Sequence, residues 1–143
     1  MTPEGIERYV EQALEDKVKG IIFEIDSPGG VVVPSAEITR YVKEIELPKV
    51  ALVRGYPASG AYEIASGCDK IVAHEYSLVG SISVILAHVE ISKLAERHGI
   101  GYDGVQAGQY KDMGNIFRPF TKEERKILKE AIGIIEEMGQ FRR

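Results

Sequence analysis

A serine with small neighbours lies in a segment that fits nucleophilic catalysis. Ser59 stands between Ala58 and Gly60, directly after an apolar run and a Gly/Pro turn, where a helix is predicted to begin. A serine at such a strand-to-helix corner exposes its hydroxyl, and the helix N-terminus favours developing negative charge. The same position also suits a serine that only caps the helix. The sequence therefore leaves Ser59 open between a nucleophile and an N-cap.

A serine nucleophile needs a base, and the candidates are three histidines and a loop lysine. His98 ends a predicted amphipathic helix, where a cation suits the C-terminus, and no aspartate stands in an obvious position to orient His74 or His88. Lys111 lies in a loop with apolar and aromatic neighbours. A lysine acts as a base when burial lowers the pKa of its amine from about 10.4 toward the working pH, whereas most loop lysines are simply solvated. Asp112 would oppose this unless an extended backbone points the two side chains in opposite directions.

A glycine pair follows the first apolar run, in residues 26–30 (DSPGG). Two glycines let bare backbone approach a ligand at the carboxyl end of a parallel strand, where α/β sheets place their sites. The alternative is an ordinary Pro-Gly turn. Residues 31–33 (VVV) could then pair with an extended peptide as an added strand. This makes Val31 and Val32 candidate substrate-binding residues.

Alternating strands and helices must position these segments. Apolar runs predict strands at residues 21–25, 49–54, 70–73 and 102–106. Helical periodicity and end signals predict helices from Thr2 to Gly20, from Pro34 to Pro48, from Ser59 to near Gly67, over residues 89–98, and after the capping box of Thr121 and Glu124. Helices between strands imply βαβ units with a mostly parallel sheet, so we expect a single α/β domain over residues 1–143.

The composition excludes several classes of protein. The 143 residues carry 18 basic and 22 acidic side chains, a net charge of −4, which gives no basic footprint for nucleic acid. A single cysteine excludes a disulfide framework and a cysteine-rich zinc module, and we expect Cys68 to be a small buried residue rather than a reactive thiol. No apolar stretch approaches the ~18–20 residues of a membrane span. We expect a soluble chain that uses no metal or cofactor.

Four motifs in order resemble a known family over essentially the whole chain. DSPGG, ASGAYEIAS, DKIVAHEYSLVGSISV and GQYKDMGNIFRPFTKEER are similar to segments of the signal peptide peptidase A family of membrane-associated Ser/Lys proteases. The resemblance implies a Clp/crotonase-like α/β fold, a spiral of ββα units with a mostly parallel sheet. It also implies that Ser59 is the nucleophile, that Lys111 is the general base, and that the N–H groups of Gly30 and Gly60 form the oxyanion hole.

The resemblance extends to a histidine position, to substrates and to assembly. Related Clp peptidases use a histidine in the stretch that here spans residues 78–81, which contains none; Ser81 is a candidate to orient Lys111, or a plain loop serine. Family members cleave signal-peptide remnants within or beside the membrane. They form homo-oligomers, and in single-domain members neighbouring subunits contribute the serine and the lysine.

Departures from the family pattern leave two other interpretations open. The usual N-terminal anchor, first strand and C-terminal extension are not in this sequence, which implies a catalytic core or a short form whose membrane association would depend on an absent segment. Ser83 replaces a glycine, and Glu63 replaces an aromatic residue. The alternatives to a peptidase are a crotonase-like acyl-CoA enzyme, which needs no serine–lysine pair, and a non-catalytic scaffold of the same fold.

Overall fold

The computed structural model describes residues 2–138, which form two compact units. The first contains residues 2–84 with 136–138, and the second contains residues 85–135. The helices are α1 (Pro3–Glu15), α2 (Val32–Glu44), α3 (Gly60–Ser66), α4 (Ser92–Arg97) and α5 (Lys122–Met138). The strands are β1 (Ile21–Ser27), β2 (Lys49–Pro57) and β3 (Lys70–Ala73). No described helix is both long enough and apolar enough to cross a bilayer.

A parallel three-stranded sheet in the order β1-β2-β3 organises the first unit. Ile21 pairs with Lys49, and Val50 in turn pairs with Lys70. Parallel strands require crossover connections, and α2 and α3 supply them. The core between the sheet and these helices consists of small or branched apolar side chains, among them Val42, Ala51, Val53, Ala61 and Ala65. The α/β class and the parallel sheet predicted from the sequence are confirmed.

The predicted helix starting at Thr2 forms but ends before Gly20. The Thr2 hydroxyl accepts a hydrogen bond from the Gly5 N–H at 3.3 Å, and a proline occupies the first helical position. Beyond Glu15 the chain reverses through Lys17, whose φ is +55°. This Schellman-type end satisfies the last carbonyls without a glycine at the left-handed position.

The helix α2 begins at Val32, two residues before Pro34, and this overturns one expectation. A proline in the first turn of a helix loses no hydrogen bond because the first N–H groups have no intrahelical partner. The Ser35 hydroxyl also donates to the Val31 carbonyl at 3.0 Å. The prediction that residues 31–33 form an extended segment is therefore wrong for residues 32 and 33, and only Val31 keeps an extended backbone (φ −70°, ψ 137°).

In the second unit α4 begins at Ser92 rather than at residue 89. The Ile91 N–H donates to the Ile116 carbonyl at 2.8 Å, and the Glu90 carboxylate accepts from the Ser92 N–H at 2.6 Å. These bonds hold the preceding residues outside the helix. The predicted strand at residues 102–106 is wrong, because this segment has no regular structure.

The capping box at the start of α5 forms as predicted. The Glu124 N–H donates to the Thr121 hydroxyl at 3.1 Å, and the Thr121 N–H donates to the Glu124 carboxylate at 2.8 Å. The two reciprocal bonds satisfy N–H groups that a helix N-terminus leaves free. They also fix the direction in which the preceding loop enters the helix.

Candidate active site

Ser59 lies at the corner between β2 and α3 in a strained backbone conformation. Its φ is +53° and its ψ is −126°, a region that costs a residue with a Cβ atom ~1–3 kcal/mol. Although Ser59 occupies the N-cap position, its side chain makes no capping hydrogen bond. Among residues 2–138 the hydroxyl has no hydrogen-bond partner. Helix capping therefore does not account for a serine at this corner.

Backbone hydrogen bonds on both sides hold Ser59 in this conformation. The Ser59 N–H donates to the Gly80 carbonyl at 3.2 Å, and the Ser59 carbonyl accepts from the Glu63 N–H at 3.1 Å. Ala58 and Gly80 form an isolated parallel bridge, and the Gly80 N–H donates to the Pro57 carbonyl at 3.4 Å. Several backbone hydrogen bonds thus fix the conformation of Ser59, and proteins retain a strained residue when its surroundings hold it in this way.

The glycine loop after β1 packs directly against this corner. Gly29 has a φ of +95°, and a Cβ atom there would lie 2.6 Å from the Ala58 carbonyl oxygen and 2.9 Å from the Gly60 nitrogen. The Ala58 N–H donates to the Ser27 carbonyl at 3.1 Å. Gly29 is therefore required both for its backbone angle and for the close approach of the two segments. A Cβ on Gly30, by contrast, would meet open space.

Two backbone N–H groups beside Ser59 have no acceptor among residues 2–138. Within the described part of the chain, neither Gly30 nor Gly60 donates a backbone hydrogen bond. The Gly30 nitrogen lies 3.8 Å from the position that a Cβ on Gly60 would occupy, so the two groups are close together. Free N–H groups next to a serine hydroxyl are the components of an oxyanion hole.

A groove of about 770 Å³ extends from the glycine loop along β1, between α1 and α2. It is lined by backbone and apolar side chains, including Gly30, Val31, Phe23, Ile25 and Ile38. Val31 is 74% exposed at one end of this groove. Val32 is half-buried in the first turn of α2. The structure therefore gives the two candidate substrate-binding residues different surroundings.

Lys111 belongs to the second unit, and its surroundings differ from those expected. It lies in a run of turns over residues 109–114, so the extended backbone expected to separate it from Asp112 is absent. The Lys111 N–H donates to the Gly108 carbonyl at 3.3 Å. The side chain is exposed and forms no ion pair with a described residue. The burial predicted for a lysine base is therefore not found.

Arg118 joins this turn to α5 through ion pairs that the sequence patterns did not predict. Its Nε donates to Asp112 Oδ2 at 2.8 Å, and its Nη1 and Nη2 donate to the Glu124 carboxylate at 2.8 and 2.7 Å. Hydrogen bonds from Arg118 and from the Thr121 N–H lower the pKa of Glu124 from 4.5 to about 2. The Arg118 bond also lowers the pKa of Asp112. In the sequence Arg118 lies six residues from an acidic residue on either side, but in a loop this spacing alone does not predict a contact.

The remaining candidates are Ser81, beside the serine corner, and His74 and Cys68. Ser81 directly follows Gly80 and is exposed, with a φ of +52°. The Nδ1 of His74 accepts from the Tyr76 N–H at 3.3 Å. Burial raises the pKa of the Cys68 thiol to about 11, which keeps it in the unreactive thiol form at neutral pH.

The other two histidines do not form a catalytic or metal-binding cluster. The ring of His88 packs on Phe120 with centroids 4.2 Å apart, and its Nε2 is buried without a hydrogen-bond partner in the described chain. His98 caps the end of α4, as predicted. Among residues 2–138 no three His, Cys, Asp or Glu side chains are grouped to hold a metal ion.

Comparison with known proteins identifies relatives of this chain. The sequence model of peptidase family S49 matches residues 42–139, more than half of the chain. A candidate protease of Methanocaldococcus jannaschii is 42% identical over 120 residues, which make up 82% of this chain and 39% of that protein. The chloroplastic serine protease SPPA of Arabidopsis thaliana is 33% identical over 118 residues, 80% of this chain and 17% of that protein. The chain thus spans less than half the length of these relatives.

A solved structure shares the fold. It is a lysine-to-alanine mutant of a membrane-bound stomatin-specific protease in complex with a substrate peptide. The likeness has a TM-score of 0.57 at 23% sequence identity and covers 68% of this chain and 54% of that chain. The predicted Clp/crotonase-like fold and the family resemblance drawn from the motifs are confirmed.

Proposed function

Because the chain belongs to peptidase family S49, we propose that it is a serine endopeptidase in which Ser59 attacks the scissile carbonyl of a peptide. The observation that carries this proposal is the strained Ser59. Within the described residues its hydroxyl is unpaired, and so are the nearby N–H groups of Gly30 and Gly60. A scaffold has no need of that combination. Strain held at one serine is typical of a nucleophile that the fold presents to its substrate.

In the proposed reaction Lys111, in its neutral form, takes the proton from the Ser59 hydroxyl during attack. The N–H groups of Gly30 and Gly60 then stabilise the oxyanion, and removing one such donor typically costs about 2.7–4 kcal/mol. Lys111 returns the proton to the leaving amine, and water hydrolyses the acyl-enzyme. A lysine works as a base only in its neutral fraction, so we expect activity to rise toward alkaline pH.

The exposure of Lys111 favours a site completed by a second copy of the chain. An amine remains charged in water and becomes neutral more readily when a packed surface excludes that water. Contact with a neighbouring subunit would supply such a surface. We therefore propose a homo-oligomer in which one subunit's Lys111 serves another's Ser59, with Ser81 as a candidate to orient the lysine.

The proposed substrates are signal-peptide remnants or other short peptides. The groove along β1 is lined largely by apolar side chains and begins at the glycine loop, so it suits an apolar peptide segment. Val31 at its end, with Val32 beside it, is the proposed contact for the residues next to the scissile bond. We propose that both units belong to one peptidase domain, and the proposed mechanism requires no metal or cofactor.

Covalent labelling of the full chain tests the nucleophile. A fluorophosphonate probe should modify wild type and Ser92→Ala, whose serine lies in α4, but not Ser59→Ala. Mass spectrometry of the labelled peptide identifies the site. Absence of labelling at Ser59 in an oligomeric sample would favour the scaffold, and strong acyl-CoA binding by calorimetry would then favour the crotonase-like enzyme.

Variants of Lys111 test the base. Lys111→Ala and Lys111→Arg should both lose hydrolysis of a fluorogenic peptide, because a guanidinium does not deprotonate at working pH. The thermal unfolding midpoint should change little, since the side chain is exposed. Retained turnover in Lys111→Arg would exclude the lysine as the base and return attention to His74 and His88.

A further inference from the structure

Arg118 makes direct contact with the residue that follows Lys111. Besides the Asp112 carboxylate, it contacts the Asp112 backbone, because Nη2 donates to the Asp112 carbonyl oxygen at 2.8 Å. Backbone position at residue 112 determines where residue 111 lies, so this bond restrains the turn itself. Arg118 is partly buried, with 32% of its side chain exposed, and can therefore hold a fixed geometry.

The same guanidinium group of Arg118 is also anchored on α5. Its two terminal nitrogens bind both oxygens of Glu124, whose side chain is only 3% exposed and also belongs to the capping box. A bidentate pair between a planar guanidinium and a buried carboxylate is directional as well as strong. Arg118 thus connects the turn that contains Lys111 to the first turn of the 17-residue helix α5.

The same ion pair offsets the charge of Asp112, the residue that follows Lys111 in the sequence. A carboxylate beside an amine favours the protonated amine, which cannot act as a base. Within the described chain, the charged and titratable groups that face Asp112 are Arg118 and Tyr102, and Glu124 faces Arg118. Asp112 and Glu124 together contribute two negative charges, and Arg118 offsets one of them. Without Arg118 the turn would carry more uncompensated negative charge.

We propose that Arg118 is a positioning residue for Lys111, holding its turn on α5 and offsetting the adjacent Asp112 carboxylate. The proposal rests on the proposed function of Lys111 as the general base. It extends that function because it assigns a role to a residue outside the serine corner. Positioning and charge compensation both depend on the Arg118 side chain. Arg118→Lys keeps the positive charge without the bidentate geometry, and Arg118→Gln keeps neither, so the two variants separate these effects.

Kinetics of full-length variants test the effect on charge. In Arg118→Gln we expect kcat to fall about tenfold with KM within twofold of wild type. The acid limb of the pH–rate profile should move up by about half a pH unit, since the added uncompensated charge is partly screened. Arg118→Lys retains the positive charge, so its acid limb should lie at the same pH as that of the wild type. Asp112→Asn should move the limb down by a similar amount, and combining Asp112→Asn with Arg118→Gln should return it to the wild-type position.

Limited proteolysis tests positioning without requiring hydrolytic activity. Trypsin should cleave after Lys111 several-fold faster in Arg118→Gln than in wild type, because cleavage requires the turn to open. The residue after Arg118 is Pro119, so the substitution removes no competing site of importance. Cleavage after Lys43 in α2 serves as the control for global unfolding and should not change.

The outcomes distinguish this proposal from the proposed function. An unmoved acid limb in Arg118→Gln and Asp112→Asn, with Lys111→Ala inactive, would overturn the role of Arg118 and leave the lysine base intact. Unchanged tryptic cleavage after Lys111 would overturn the positioning effect. Full activity in Lys111→Ala would instead overturn the proposed function, and the role of Arg118 with it. The proposal would be supported if trypsin cleaves faster after Lys111 in Arg118→Gln and if the acid limb moves up in Arg118→Gln and down in Asp112→Asn.

Discussion

At the scale of single residues, the serine corner is where backbone preference and proposed function conflict most. Lys17, Ser59, Ser81 and Ser83 are the non-glycine residues with positive φ in the described chain. Lys17 only ends a helix, whereas Ser59 carries the proposed chemistry and Ser81 follows the glycine bonded to it. Glycine adopts such angles without steric cost. A residue with a side chain at position 59 therefore reduces stability.

We predict that Ser59→Gly unfolds at higher urea than Ser59→Ala, with a difference of about 1 kcal/mol, because glycine relieves the strain and alanine does not. Both variants should be inactive. Lys17→Gly is the control, since it also replaces a residue with positive φ, at the end of α1, and should leave activity unchanged. Equal stability of the two Ser59 variants would contradict the strained conformation.

The two proposed oxyanion donors should differ in their tolerance of a methyl group. A Cβ on Gly60 would lie 2.7 Å from the Cβ of Ser35, whereas a Cβ on Gly30 would have no neighbour within 4 Å. We predict that Gly60→Ala loses about 1–3 kcal/mol of unfolding free energy by overpacking, and that Gly30→Ala changes it by less than about 0.5 kcal/mol. Urea denaturation measures both, and similar losses in the two variants would exclude this packing.

At the scale of elements, sequence patterns predicted which segments form strands and helices better than where they end. The apolar runs gave β3 with its observed bounds, while β1 and β2 extend two and three residues further than predicted. The predicted strands end at Ile25 and Arg54, where polar residues and a glycine interrupt the apolar run, but strand pairing continues to Ser27 and to Pro57, which is fully buried. Backbone hydrogen bonds between strands do not depend on apolar side chains, so the apolar pattern of the sequence does not predict where the strands end.

The predicted strand at residues 102–106 failed because its aromatic residue packs locally. The Tyr102 ring stacks on Phe117 at 5.4 Å, and its hydroxyl donates to Asp112 at 3.2 Å, while Val105 is fully exposed. A β-rich composition indicates a strand only when a neighbouring strand is available. The bonds of Arg118 to Asp112 and Glu124 were missed for a similar reason, since a distance of six residues has no fixed meaning in a loop.

The start of α5 should lose stability in acid. The pKa of Glu124 is about 2 in the folded chain against an ordinary 4.5, so its ion pair stabilises the fold above pH 4.5. That contribution is lost as the pH falls from about 4.5 to about 2, because the unfolded chain takes up the proton first. We predict that Glu124→Gln is less stable than wild type at pH 7 and that the gap closes across this range.

Urea unfolding at a series of pH values measures this gap, and Glu123→Gln is the matched control because Glu123 is exposed in the same turn. The control should differ from wild type by less than about 0.5 kcal/mol at every pH. A gap for Glu124→Gln that stays constant from pH 7 to pH 2 would show that the side chain acts through packing rather than through its charge.

At the scale of the whole molecule, the proposed catalytic groups are divided between the two compact units. Ser59, Gly30 and Gly60 belong to the first, and Lys111 belongs to the second. The motifs identified these residues, and the structure brings the first three together. The proposed pairing of the serine with the lysine between subunits would depend on assembly, on which periodicity and propensity carry no information. Whether Lys111 of one subunit serves Ser59 of another must therefore be tested in solution.

The last prediction concerns subunits that each lack one catalytic group. Samples of Ser59→Ala and Lys111→Ala should be inactive alone, but a mixed oligomer contains interfaces at which an intact Ser59 meets an intact Lys111 from its neighbour. We predict that mixing them restores part of the wild-type hydrolysis, after subunit exchange has been verified by native mass spectrometry. On dilution through the dissociation range, wild-type activity should fall more steeply than the protein concentration, because dissociation removes the base from each site. A mixed oligomer without recovered activity, together with activity proportional to concentration, would instead place both groups of the dyad within one chain.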